Sequence, residues 1–272
     1  MRSTDRLNIV GNHSSKEGIV PNYDSGPIRQ HPVVSHEEWL RARIRLLEQE
    51  KALSKQRDEL ARARRALPWE RVEKNYTFHG PNGMETLGDL FEGRRQLVVY
   101  HFMFAPEAEQ GCAHCSFWAD SFDVLAIHPE HLDQRDTTFL AISRAPWEKL
   151  EAFKQRMGWR FKWVSSGVSD FNYDYFVSFR PDEREAKSAF YNYRTGDSPA
   201  DREGASAFYK AEDGTIFHTY STYARGIDLL NVTYNILDLT AKGRDEEHIA
   251  AQAWVRYHDR YTPPASDAVV AR

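Results

Sequence analysis

Leu97-Val98-Val99-Tyr100-His101-Phe102-Met103-Phe104, then Ala105-Pro106, then Gly111-Cys112-Ala113-His114-Cys115: this stretch decides how the chain reads. The first eight residues form a near-continuous apolar run rich in β-formers. Such a run suits a strand covered on both faces. Ala105-Pro106 ends it, and Cys112 to Ile127 reads as a helix with Phe117, Phe122, Leu125 and Ala126 on its inner side. The two cysteines are the only ones in 272 residues. That is too few for a disulfide framework, and a two-residue gap suits a catalytic or metal pair better than a staple.

Working outward, Thr137 to Ile142 is the next buried strand. A helix follows from Pro146, with Leu150, Phe153 and Met157 on one face and Gly158 as its end. Arg160 to Val164 makes a short strand. Ser206 to Tyr209 and Ile216 to Tyr220 flank Glu212-Asp213-Gly214, a hairpin signal. Ile227 to Leu239 closes the unit as a helix. Two parallel strands joined by a crossover helix, then an antiparallel hairpin and helix, make one mixed α/β sheet. The cysteines lie at the carboxyl end of its first long strand, where open α/β sheets bind ligands.

Upstream, Tyr76-Thr77-Phe78 reads as a strand, Gly80-Pro81-Asn82-Gly83 as a turn, and Leu87, Leu90 and Phe91 as one helical turn. Ser35 with Glu38 fits a capping box and opens a charged helix running to about Ala66. Trp39, Leu40, Ile44, Leu47 and Leu53 form a thin apolar stripe on it. The helix is either a solvated arm or a dimer-forming or docking one, so a homodimer stays open. Residues 1–30 lack an apolar period and read as a disordered tail. The divisions are a helical arm over 31–67, the main domain over 68–240 with an aromatic and polar insertion at 165–203, and a C-terminal helix and tail over 241–272.

A net charge of −4 gives no reason to expect nucleic acid or an anionic membrane as partner. No apolar run approaches the ~20 residues of a transmembrane helix. The polar stretch Met1 to Pro21 lacks a secretory apolar segment. The expected compartment is a reducing cytoplasm.

A helix N-terminus offers unpaired N–H groups and partial positive charge, both favouring a thiolate at Cys112. Cys115, one turn later, can resolve a mixed disulfide. His114, when protonated, would favour the thiolate further and make the disulfide form more oxidising. Gly111 gives the turn its backbone freedom. Two other readings stay open: inert buried thiols, or a zinc site needing His101 and His114 to complete it. No cofactor and no metal are called. Trp118 either shields the thiols or fills the core. Tyr220, Tyr223 and Arg225 are candidates for substrate recognition, with Arg225 holding an anion, or ordinary hairpin and cap residues. Glu107 and Glu109 could accept protons or belong to a solvated loop, and Tyr173 and Tyr175 could line a pocket.

Gly111-Cys112-Ala113-His114-Cys115-Ser116-Phe117-Trp118-Ala119-Asp120, with His31-Pro32-Val33-Val34, the Leu97–Phe104 strand and His218-Thr219-Tyr220-Ser221-Thr222-Tyr223-Ala224-Arg225-Gly226, resembles the bacterial thioredoxin-like family catalogued as domain of unknown function 899, over about residues 31–262. The resemblance implies a thioredoxin-like fold and no settled substrate. In the wider superfamily the first cysteine attacks and the second resolves, which implies those roles for Cys112 and Cys115. The expected activity is a thiol–disulfide oxidoreductase acting on a restricted small-molecule or protein substrate. The alternatives are a thiol peroxidase and a non-enzymatic metal-binding or interaction protein. One departure is visible: Glu203-Gly204-Ala205 stands where thioredoxins place a cis-proline.

Overall fold

The computed structural model describes residues 31–261. The tail expected over 1–30 lies outside them, as does the end of the C-terminal one.

Chain order builds the layers. Helix α1 (His36–Arg65) is capped by Ser35, whose side chain accepts from the Glu38 N–H while the Glu38 carboxylate accepts from the Ser35 N–H. No residue of α1 is buried. Strands β1 (Glu70–Arg71), β2 (Thr77–Gly80) and β3 (Gly83–Thr86) follow, then a 3₁₀ turn at Asp89–Phe91 and the central strand β4 (Gln96–His101). Helix α2 (Ala113–Phe122) starts at the cysteines. The single helix expected over Cys112–Ile127 is divided at Asp123, and α3 (Val124–Ile127) continues it. The Asp123 carboxylate accepts from the Arg160 and Phe161 N–H groups at 2.6 and 3.2 Å, tying the break to the next layer. Then come α4 (Glu130–Asp133), β5 (Thr137–Ser143), α5 (Trp147–Met157), β6 (Trp163–Ser165), α6 (Phe171–Asp174), α7 (Pro181–Glu185), β7 (Ala189–Tyr191), β8 (Arg194–Gly196), β9 (Gly204–Lys210), β10 (Ile216–Tyr223) and α8 (Val232–Leu237).

Eight strands form one sheet in the order β1-β10-β9-β4-β5-β6-β2-β3, and β7 pairs with β8 apart from it. β4, β5 and β6 run parallel, and β9 lies antiparallel on the other side of β4 with β10 beyond it. The strand leading to the cysteines thus has a parallel neighbour on one side and the hairpin on the other, which is the thioredoxin-like arrangement.

Alternation along β4 splits the core in two. Tyr100 and Phe102 point to the α2 face, with Phe117, Trp118, Phe122, Phe153 and Trp163. Leu97 and Val99 point to the other, with Phe78, Phe91, Ile142, Phe171 and Phe208. Segment 165–203 is fastened to the end of β5 by Arg144, which makes two bonds of 2.9 and 3.1 Å to the Asp201 carboxylate and one of 3.1 Å to the Tyr173 hydroxyl.

Two expected helices are corrected. Ile227–Leu239 is a 3₁₀ segment, Ala224–Leu230, followed by α8, because the Asn231 side chain accepts from the Tyr234 N–H and starts a new helix. Beyond residue 240 the described chain is turns and a 3₁₀ segment at His258–Arg260, not a helix. Asp245 (φ 52°) and Gln252 (φ 63°) sit in the left-handed region, which interrupts any helix there. Among the described residues no helix is long and apolar enough to cross a membrane.

Candidate functional site

The chain leaves β4 through Phe102-Met103-Phe104, loops, and returns so that the Cys112 N–H donates to the Met103 carbonyl at 3.0 Å. Cys112 is the N-cap of α2. Its carbonyl accepts from both the Ser116 N–H and the Ser116 hydroxyl, each at 2.9 Å. Gly111 is needed for close approach rather than for backbone freedom. A Cβ there would lie 2.7 Å from the Phe102 ring and 2.9 Å from the Phe153 ring.

The two thiols are unbonded and differ in setting: Cys112 is half-buried, Cys115 buried. The Cys115 thiol bonding to Cys112 Sγ holds the Cys112 pKa below its ordinary value; burial opposes this, and the N–H groups of Cys115 and His114 reinforce it. Burial raises Cys115 well above the ordinary range, with the neighbouring Cys112 adding to it. The Met103 N–H, donating to Cys115 Sγ at 3.4 Å, works the other way. One thiol is therefore prepared to ionise and the other to stay protonated.

His114 joins the pair but not as the expected cation. Its outer face is exposed, yet desolvation lowers its pKa, with the nearby Gln252 backbone working the other way. The help Cys112 receives at the helix start comes from backbone N–H groups. The zinc alternative loses His101. Adjacent strand residues face opposite ways, and His101 points away from the thiol side, 2.8 Å from the Ser206 hydroxyl. Among the described residues no three His, Cys, Asp or Glu side chains cluster as metal ligands.

Two further groups interact with the thiols: Tyr100, to which sequence patterns assigned no role, and Glu203, which they marked only as a departure. Tyr100 is fully buried, with its hydroxyl against Cys115 in less than a complete hydrogen bond. Burial raises its pKa, and charge on Cys115 would raise it further. Glu203 stands directly before β9. Its charge is felt by Cys112, Cys115, Tyr100 and His114. The Tyr191 hydroxyl, donating to the Glu203 carbonyl at 2.9 Å and carboxylate at 3.2 Å, holds it.

Of the remaining candidates, Trp118 is buried in the core one turn into α2, donating to the Ile227 carbonyl at 3.0 Å. Tyr223 is buried over Gly204 and donates to the Tyr175 carbonyl. Tyr220 accepts from Arg64 at the end of α1, and Arg225 is exposed and paired with Asp228. These partners, not the thiols, position the last two.

A second polar cluster lies on the opposite sheet face. His101, Ser206, Ser221 and His218 form a chain of 2.8, 2.7 and 2.7 Å contacts across β4, β9 and β10, ending 3.3 Å from Glu70. A bulge in β10 between His218 and Tyr220 puts His218 and Ser221, three residues apart, on one face. A hollow lined by Arg94, Leu125, Asp133, Thr138 and Phe161 lies at the start of β5, the end of the sheet away from the thiols.

Comparison with solved structures returns peroxiredoxins. Peroxidoxin BcpB from Mycobacterium tuberculosis is 13% identical, with a TM-score of 0.39 over 61% of this chain and 94% of that one. A PrxQ mutant of Xylella fastidiosa is 13% identical, TM-score 0.38, over 62% and 95%. Peroxiredoxin Q of Xanthomonas campestris is 14% identical, TM-score 0.38, over 62% and 96%. No curated protein matches the sequence. The model of a family described as bacterial protein of unknown function (DUF899) matches residues 28–261, and the chain belongs to that family.

Proposed function

We propose that the protein is a thiol–disulfide oxidoreductase in which Cys112 attacks and Cys115 resolves. The observation that carries this reading is the asymmetry of the pair: a half-exposed thiol with a lowered pKa, one turn from a buried thiol with a raised one. Cys112 thiolate attacks one sulfur of a substrate disulfide, forming a mixed disulfide and releasing the other sulfur as thiolate. Cys115 then loses its proton and attacks Cys112 Sγ. The second substrate thiolate leaves, and the protein holds a Cys112–Cys115 disulfide. Two electrons have passed to the substrate. An external dithiol reductant returns the protein to its starting form, so a reducing compartment suits the cycle.

Glu203 is the carboxylate whose charge both sulfurs feel. The carboxylate disfavours a lasting negative charge on either sulfur, which suits a transient thiolate.

Equilibration with glutathione, counting unmodified thiols, tests the reading. A reversible two-electron transition between about −120 and −270 mV is expected, the span of C-x-x-C enzymes. Cys115→Ser should trap a mixed disulfide at Cys112. Thiols that stay blocked until the chain unfolds would overturn the proposal.

A further inference from the structure

The last described stretch of chain crosses the start of α2 on both sides of Cys112. The Tyr257 hydroxyl donates to the Gly111 carbonyl at 2.7 Å, one residue before the thiol. The Gln252 backbone lies near His114, two residues after it. The Trp254 ring packs on Phe117 with centroids 5.3 Å apart, and Tyr257 packs on Phe153 at 5.7 Å. Charge at Cys112 is felt by Tyr257.

This segment has no regular hydrogen-bond ladder, so side chains must hold it. At its start one carboxylate oxygen of Glu246 accepts three bonds: from the Tyr234 hydroxyl at 2.8 Å, the Gln252 N–H at 3.0 Å and the Trp254 indole at 2.7 Å. At its end Arg156 makes two bonds to the Asp259 carboxylate, 2.8 and 2.9 Å, while stacking on Tyr257 at 4.9 Å. His258 lies 2.8 Å from Asp120 of α2. The fastenings join the strap to α2, α5 and α8.

We propose that residues 246–261 act as a strap that sets the substrate range of Cys112, admitting low-molecular-weight disulfides and excluding the surfaces of folded proteins, with Glu246 and Asp259 as its fasteners. The inference rests on Cys112 being the attacking thiol. A disulfide in thiol exchange must bring its sulfur in line with Cys112 Sγ, so the partner has to reach past the strap that Tyr257 holds against Gly111. A narrow molecule fits beside the strap; a globular one collides with it. Rejection by steric obstruction is a recognised way of gaining specificity, and fixed side chains around an opening make it effective.

The test uses the full chain in a Cys115→Ser background, so Cys112 alone reacts. N-ethylmaleimide and a maleimide carrying a polyethylene glycol of about 5 kDa label it under identical conditions, with circular dichroism confirming the fold. In the parent the small reagent should react at least about tenfold faster than the large one, a difference of about 1.4 kcal/mol in barrier. Glu246→Ala and Asp259→Asn, at opposite ends of the strap, should each close that gap while changing the small-reagent rate by less than about threefold. Equal labelling by both reagents in the parent would overturn the proposal, as would an unchanged gap in both folded variants. Labelling does not depend on turnover. Loss of disulfide exchange with the size gap intact would refute only the oxidoreductase reading.

Discussion

His101 lets a pH effect be worked from geometry to magnitude. The imidazole is fully buried, Nε2 is 2.8 Å from Ser206, and Nδ1 has no partner. Burial, with a smaller contribution from His218, pushes its pKa down to about 3. In the unfolded chain it titrates near 6.5, so below that pH the unfolded state binds a proton that the native state refuses. Stability therefore rises with pH in this window: it is fully present above about 6.5 and is lost as pH falls towards 3. Each pH unit inside the window costs about 1.4 kcal/mol, which makes about 3 kcal/mol by pH 4.5. His218 and Glu70, at the far end of the same chain of contacts, are present in both variants. His101→Gln keeps an N–H donor for Ser206 and cannot charge. It should cost about 1–3 kcal/mol near neutrality through packing and hydrogen bonding, and that deficit should shrink and reverse on acidification. Urea unfolding at about half-unit steps from pH 7.5 to 4.5 reads the difference. Parallel curves for the two proteins would refute the assignment of His101 as a neutral buried group.

The thiols should alkylate unequally: Cys112 with iodoacetamide at a lower pH midpoint than an ordinary cysteine, Cys115 only on unfolding, and Cys115→Ala should raise the Cys112 midpoint by removing its S–H donor. Gly111→Ala forces a methyl against Phe102 and Phe153, and a loss of about 1–3 kcal/mol should appear as a lower thermal midpoint. Asp201→Ala leaves the Arg144 guanidinium in a site where its side chain is only 13% exposed, and about 3–5 kcal/mol should be lost in denaturant unfolding. Ser35→Ala removes the side-chain half of the capping box, the hydroxyl that accepts from the Glu38 N–H, worth about 1 kcal/mol. Because no residue of α1 is buried, fraying should lower helicity without moving the unfolding midpoint of the sheet.

Parts of the molecule governed by near neighbours in sequence were legible before the fold was known. The apolar run of β4, the Ser35–Glu38 cap, the Gly158 helix end and the turn between β9 and β10 all rest on contacts within a few residues. The Cys112–Cys115 pairing is of this kind, since one helical turn brings the sulfurs together. Other features depend on register or on distant partners. The His101–Ser206–Ser221–His218 chain needs a bulge at Thr219, and without it His218 and Ser221 would face opposite ways. The span after residue 240 carries Trp254, Val255 and Tyr257 at no helical or strand period. The sequence reads as starting a helix after residue 240, whereas Trp254 is placed by Glu246 and Tyr257 by Arg156. Glu203 showed in sequence only as a missing proline. Its proximity to the thiols comes from β9 pairing with β4, where Gly204 lies opposite His101.

The same pairing explains why one short strand can serve two polar sites without mixing them. Tyr100 and His101 are consecutive, yet the pleat sends one hydroxyl to Cys115 and one imidazole to Ser206, with the sheet between them. No hydrogen-bonded chain joins the two sides at this point: the Tyr100 hydroxyl and His101 Nδ1 both end without a full partner. Each interrupted end lies in an aromatic layer, Phe102 and Phe122 around Tyr100, Phe171 and Tyr175 around His101. In the proposed thiol exchange, protons therefore stay on the α2 face and do not enter the serine–histidine chain. It follows that His101→Gln should leave the Cys112 alkylation midpoint where it stands in the parent protein, while Glu203→Gln should lower it by removing a negative charge. A shift of that midpoint with His101→Gln would mean that the two faces exchange protons, and the separation argued from the pleat would be wrong.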